Sequence, residues 1–138
     1  MILSKRHRCY FASARAVSKL SDFPRVKLGC VAVYKHQIIS SGFNAQKTAP
    51  LQKKYNIYRF TEETPSSIHA EVMCLKPIMN RRDIDFKNVS LYIYREGKNE
   101  ELFLSRPCIS CMELIKDLGI RHIYYTNNGG FSHEEILH

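Results

Sequence analysis

Apolar residues along the chain recur with two periods, and the points where the period changes mark out the elements. From about Ser4 to Leu20, Cys9, Ala12, Ala16 and Leu20 fall at helical spacing on one face, with basic residues elsewhere. Asp22 and Pro24 close that helix. Gly29–Tyr34 and Gln37–Ser41 read as two strands around Lys35-His36, a hairpin. Cys30 to Val33 are apolar without a break, which suits a strand covered on both faces. Phe43 to Thr64 has no clear period and reads as a long connection of the kind that forms lids and binding segments.

A second helix is expected to start near Pro65-Ser66-Ser67, run through His69 and Glu71 to about Lys76, and stop at Pro77. Val89–Tyr94 is a strand. Ser105-Arg106-Pro107 can open a third helix that Gly119 closes. Arg121–Thr126 is the next strand, and Asn127-Asn128-Gly129-Gly130 signals a tight turn. Beyond it the chain either folds back as an antiparallel strand or forms a short helix over Ser132–Leu137. The order α-β-β-α-β-α-β predicts one domain over residues 1–138, a sheet covered by helices.

Composition changes little in this picture. The residues are 44% hydrophobic and 25% charged, ordinary for a soluble domain. No apolar run approaches the ~20 residues of a membrane helix, and no apolar stretch follows the first basic residues as in a secretory signal. The expectation is a cytoplasmic protein with no membrane partner.

Charge adds more. The net charge is +8, and it is unevenly spread. Residues 1–60 hold 12 Lys/Arg and one acid (+11), against 9 Lys/Arg and 12 acids (−3) in residues 61–138. That imbalance favours an anionic partner, a nucleotide phosphate or a polynucleotide, over a merely solvated basic surface. The segment Lys53–Phe60 interleaves basic and aromatic residues, and Tyr58 within it could stack on an extruded base. A loop pinned down by its aromatics is an equal reading. Arg25 and Lys27 could touch phosphate or simply solvate a turn.

Five cysteines, unevenly placed, argue against a disulfide framework in a reducing compartment. Cys30 and Cys74 read as small buried hydrophobes. Cys108 and Cys111 are different: three residues apart at a helix start, they share one face, and the helix N-terminus favours their thiolates. With His69 they make three zinc ligands, which leaves one tetrahedral position for water, the pattern of a catalytic site. Zinc lowers the pKa of such a water to about 7. Glu71, two residues beyond the histidine, can then move its protons without ligating the metal.

The pattern His69-Ala70-Glu71 followed by Pro107-Cys108-Ile109-Ser110-Cys111 resembles that of the cytidine and deoxycytidylate deaminase superfamily. That superfamily also includes tRNA adenosine deaminases and polynucleotide cytosine deaminases. The resemblance extends over the first helix, the Gly29–Val33 hairpin, Gly42-Phe43-Asn44 and the later strands, in the family's order. It implies a three-layer α-β-α fold on a mixed sheet of four to five strands, one zinc ion held by His69, Cys108 and Cys111, and Glu71 as proton shuttle. It implies that Asn44 and the Ala70 backbone contact the substrate. The reaction implied is hydrolytic deamination of cytosine to uracil in a phosphate-bearing substrate, a nucleotide or single-stranded nucleic acid. Adenosine-to-inosine deamination in RNA is the alternative, and an inactive zinc-stabilised nucleic-acid binding module is a third, non-enzymatic reading. Family members often assemble, so a homo-oligomer stays open. Glu96–Ser105 is an insertion before the PCxxC segment that could reshape the pocket rim.

Overall fold

A computed structural model describes residues 1–47, 49–58 and 67–136, and for Tyr58 the backbone alone. The first helix, α1 (Lys5–Ser18), starts where the Ser4 hydroxyl accepts from the His7 N–H at 3.2 Å, an N-cap bond. Strands β1 (Leu28–Tyr34) and β2 (Gln37–Phe43) follow as an antiparallel hairpin. Lys35 and His36 occupy φ 51° and 65°, the two positive values that a two-residue hairpin turn requires. Helices α2 (Pro50–Tyr55) and α3 (Ala70–Leu75) precede β3 (Val89–Arg95); α4 (Ile109–Leu118) leads to β4 (His122–Asn127) and β5 (Gly130–Glu135).

The strand order is β2-β1-β3-β4-β5, with β3 and β4 parallel and the other pairs antiparallel. Strand periodicity sorts the side chains between two cores. Val31, Val33, Tyr92 and Tyr94 meet Phe11 and Ala14 of α1 on one face. Cys30, Ala32, Leu91 and Ile93 meet Val72 and Leu75 of α3 and Leu114 and Ile115 of α4 on the other. The three-layer arrangement and mixed sheet expected from the sequence are present, with five strands. The chain after Asn128 is a strand, so the helical alternative for that segment is overturned.

Several details differ from the sequence reading. Helix α1 buries Phe11, Ala14 and Ser18, while Cys9, Ala12, Ala16 and Leu20 are exposed. The reason is a close approach. A Cβ on Gly29 would strike the Ala14 carbonyl oxygen and the Ser18 amide, so α1 crosses β1 backbone to backbone and needs its small residues on that face. On the opposite face, a Cβ on Gly42 would strike the Cys74 amide and the Ala70 carbonyl oxygen of α3. The two glycines clamp the sheet between its helices.

The long connection after Phe43 contains α2, which begins at Pro50, and a 3-10 turn over Asn56–Tyr58. The helix expected from near Pro65-Ser66-Ser67 begins instead at Ala70, because Ile68 forms a bridge with Ala45 and holds that stretch extended; Pro65 and Ser66 lie outside the described residues. Helix α4 likewise begins at Ile109 rather than around Pro107, since Ser105 is held in extended chain by Thr126. Among the described residues no helix is long and apolar enough to cross a membrane.

Replacing Gly42 with alanine forces the backbone of β2 and α3 apart and is expected to cost about 1–3 kcal/mol. Gly129 at φ 94° has open space around its Cβ direction, so Gly129→Ala carries only the left-handed backbone cost of about 1 kcal/mol. Urea midpoints of both variants check this. Equal losses would show that the close approach at Gly42 contributes nothing.

Candidate metal centre

Helices α3 and α4 both begin at the same place, and their N-cap residues are His69 and Cys108. Each cap residue has extended backbone, with φ/ψ of −80°/156° and −67°/171°, which turns its side chain out of the helix line. Neither side chain caps its own helix. They face one another instead. His69 Nδ1 lies 3.3 Å from Cys111 Sγ and 3.5 Å from Cys108 Sγ, and the three ligand atoms lie within 4.8 Å of one another.

These separations test whether a metal fits. With Zn–S near 2.3 Å and Zn–N of 2.0–2.1 Å, tetrahedral geometry places N and S about 3.6 Å apart. The observed nitrogen–sulfur distances match that, and one imidazole with two thiolates is a donor set suited to zinc. Cys74 is fully buried and takes no part in the cluster, which among the described residues is the single group of three or more metal-ligating side chains.

The thiols are electrostatically unequal. The hydrogen bond from Cys111, helped by His69 and Ser110, pulls the Cys108 thiol down to about 3 against the opposing effect of burial. Cys111 is pushed well above its ordinary value, because it gives that bond and is itself buried. One proton therefore sits on the pair, and it must leave when a dication takes both sulfurs. Glu71, in the first turn of α3, is 4% exposed, and burial raises its pKa above the usual carboxylate range despite the lowering effect of His69. A buried carboxyl in that condition exchanges a proton more readily near neutrality than a solvated one.

The surroundings hold the first-turn residues in place. Gln52 of α2, 1% exposed, accepts the His69 backbone N–H at 2.9 Å through Oε1 and donates through Nε2 to Asn56 Oδ1 at 2.7 Å. Sequence periodicity missed it, since a buried glutamine carries no hydrophobic signal. The only hint is Pro50, a residue suited to a helix start two positions earlier.

His69, Ala70, Glu71 and Cys108 open onto a cavity of about 520 Å³. Asn44 is in its wall, but its amide is committed to the backbone: Oδ1 accepts from the Leu28 N–H at 2.9 Å and Nδ2 donates to the Val26 carbonyl at 2.7 Å. Arg25 is exposed, between Phe23 and Val26, which line the cavity; Arg25 itself is outside the lining. The side chain of Tyr58 lies outside the described residues. Two arginines that sequence reasoning did not single out also line the cavity. Arg106 spends its fork on Glu134, with bonds of 2.9 Å and 2.9 Å. Arg95, at the end of β3, reaches the Leu104 carbonyl at 3.4 Å and lies 5.7 Å from the Phe103 ring centre, which leaves most of its donors open. Their signal was positional: one ends a strand, the other directly precedes the PCxxC segment.

Leu104 and Ser105 of the insertion form part of the same wall. Thr126 holds that segment by accepting from the Ser105 N–H at 2.8 Å through its carbonyl and donating from its hydroxyl to the Phe103 carbonyl at 2.7 Å.

Residues 4–127 match the family described as the cytidine and deoxycytidylate deaminase zinc-binding region. The chain is 25% identical over 131 residues to the probable deoxycytidylate deaminase of Caenorhabditis elegans, an alignment over 90% of this chain and 58% of that protein. It is 27% identical over 126 residues to the tRNA-specific adenosine deaminase subunit tad2 of Schizosaccharomyces pombe, over 87% of this chain and 25% of that one. The chain thus spans less than two thirds of the first relative's length and a quarter of the second's. In fold it resembles the apo dCMP deaminase of the cyanophage S-TIM5, with a TM-score of 0.65 at 21% identity over 91% of this chain and 86% of that one.

Cys108→Ser exchanges a soft thiolate for a poor zinc donor and is expected to abolish stoichiometric zinc after dialysis, whereas Cys9→Ser, an exposed position, retains it. Elemental analysis of the two purified proteins decides. Full zinc in the first variant would remove Cys108 from the ligand set.

Proposed function

Because the chain belongs to the cytidine and deoxycytidylate deaminase family, we propose that it is a zinc-dependent hydrolytic deaminase that converts cytosine to uracil in a phosphate-bearing substrate. The observation that carries this reading is that His69 and Cys108 of the three-residue cluster, buried Glu71 and Arg95, with most of its donors open, line one cavity. Zinc, when held by those three side chains, supplies the Lewis acidity that makes water nucleophilic near neutral pH. Glu71 takes a proton from the attacking water and gives it to N3 of the ring as the new C–O bond forms at C4. It then takes the remaining proton from the new C4 hydroxyl and passes it to the exocyclic amine; the C4 carbonyl forms, the C–N bond breaks, and ammonia leaves.

Arg95 supplies the charge for the substrate phosphate. A guanidinium anchored by one carbonyl and one ring keeps a fixed direction, so little is lost in ordering it. Arg106 is less suited, since an ion pair with Glu134 already occupies its donors. The remaining proposed contacts are the Ala70 backbone, Asn44 through the second N–H of its amide, Arg25 and Tyr58.

Adenosine-to-inosine deamination in RNA is the second reading, favoured by the likeness to the yeast tRNA deaminase subunit. A binding module without activity is disfavoured by Glu71, because metal holding alone does not require a buried carboxyl beside the ligands.

Glu71→Gln is expected to keep full zinc and lose about 10²–10⁴ in kcat. Zinc content and turnover measured on one preparation separate the two effects, and undiminished turnover would end the shuttle role.

Substrate choice is read from a panel of dCMP, CMP, cytidine, a C-containing DNA strand and an A-containing RNA, by product mass. The expectation is turnover of the cytosine nucleotides. Arg95→Gln should raise KM for dCMP roughly tenfold, about 1.4 kcal/mol, with cytidine unaffected. Product from the adenosine RNA alone would establish the second reading. A steep fall of activity with salt would favour the polymer over the free nucleotide.

A further inference from the structure

Strand β1 connects two cavities. Leu28 at its start is in the wall of the metal cavity, while Val33 and Tyr34 at its end are in the wall of a second one, of about 530 Å³. Six residue steps of extended chain separate Leu28 from Tyr34, about 20 Å. The second cavity lies against the first turns of α1, the Lys35-His36 turn and the start of β3. Nothing in the proposed deamination uses it.

Its wall has an unusual composition. Arg6, Lys35 and His36 supply positive or protonatable groups, and no carboxylate is among the lining residues. The distribution of charge along the chain points here as well. Of the described Lys and Arg in residues 1–58, none lines the metal cavity, but Arg6 and Lys35 line this one. These groups are also positioned. Arg6 Nη1 is 3.3 Å from His36 Nε2, and the Tyr10 hydroxyl donates to the His36 carbonyl at 2.8 Å, so α1 holds the turn in place. Lys35 sits at φ 51° with Nζ 5.3 Å from the Tyr34 ring centre.

Flat rings complete the wall: Tyr10, Tyr34 and the edge of Tyr92, whose centre is 5.0 Å from that of Tyr10. His7 lines the inner side, and its Nδ1 is the single buried side-chain nitrogen or oxygen among the described residues without a hydrogen-bond partner. Asp85 bonds lining residues through its backbone: its N–H donates to the Tyr34 hydroxyl at 3.4 Å and its carbonyl accepts from the Asn88 N–H at 2.9 Å, while its carboxylate accepts from the Lys87 N–H.

We infer that this cavity is a second ligand site, separate from the metal centre, for a nucleotide unit, with phosphate on Arg6 and Lys35 and the base against Tyr10 or Tyr34. Arginine matches phosphate through charge-assisted bonds, and a base stacked on an aromatic ring gains about 1–3 kcal/mol. The volume lies within the usual range for small-molecule sites. Free nucleotides and single strands share this chemistry, and the test separates them.

The test uses the zinc-loaded full chain with three probes: inorganic phosphate, GMP and a thymidine octamer. Lysine acetylation followed by mass spectrometry reads protection at Lys35, and calorimetry reads affinity. GMP, the octamer or both should protect Lys35 and bind at least tenfold more tightly than phosphate; protection by the octamer alone assigns the site to a strand. The Arg6→Gln/Lys35→Gln double variant, altered at two exposed positions, should lose at least tenfold in that affinity with its unfolding midpoint, zinc content and turnover unchanged. Arg95→Gln should leave Lys35 protection intact. The proposal is overturned if no probe protects Lys35 at millimolar concentration, if phosphate protects as well as GMP and the octamer, or if affinity survives the double variant. Protection needs no turnover, so failure of the deaminase reading would not disguise the result.

Discussion

Helices α3 and α4 begin within a few ångströms of each other, and the rest of the structure serves to keep those two starts together. His69 and Cys108 are N-caps that decline to cap. Each sends its side chain toward the other element, where Nδ1 and the two sulfurs converge within 4.8 Å. The start of a helix favours negative charge. The Cys108 thiol, at one of these starts, is the one pulled down, chiefly by its bond from Cys111. Gly42 makes the convergence possible from one side, since any side chain there would push α3 off β2. The parallel pairing of β3 and β4 does so from the other, because the crossover between them must carry α4 over the sheet.

The convergence of His69, Cys108 and Cys111 was legible in the sequence, because their spacing with Glu71 forms a pattern with few other uses; features that depend on backbone proximity were not. The hairpin at Lys35-His36 and the strand after Asn128 follow from turn geometry and alternation. The buried face of α1 is different. Two stripes of small and apolar residues compete, Cys9/Ala12/Ala16 against Phe11/Ala14/Ser18, and hydrophobicity does not separate them. What decides is that Gly29 lets the backbones touch, which requires Ala14 and Ser18 at the crossing. Helix α2 escaped for a related reason: its site-facing residue is Gln52, polar and buried, whose value lies in one bond to the His69 N–H.

Arg95 and Arg106 make the same point about charge. Both carry a cation to the metal cavity, and a count would treat them alike. Their partners distinguish them. Arg106 is held face to face with Glu134, and Tyr125 adds a bond from its hydroxyl to the same carboxylate at 3.2 Å. Arg95 has a carbonyl and the face of Phe103, neither of which cancels its charge. Both of those partners belong to the Glu96–Ser105 insertion, so the segment that looked like an interruption between strand and PCxxC helix is what aims Arg95. Its fastening at Thr126 gives that aim a rigid base.

The basic half of the chain then needs a different account from the one its composition suggests. A phosphate at the metal centre would meet Arg95, which comes from the acidic half. Among the described early cations, Arg6 and Lys35 lie at the far end of β1 among tyrosines, and Arg15 is paired with Glu96 and Glu100. Attraction between exposed charges weakens beyond about 8 Å at physiological salt, and the two cavities are separated by the length of a strand. Positive charge at that far end therefore cannot strongly bind a phosphate seated at the metal, though it can raise the local concentration of anions around the whole domain. Tight recognition at either place has to come from the few groups that line it. This is why the two cavities, with different cations and different walls, are chemically independent sites on one sheet.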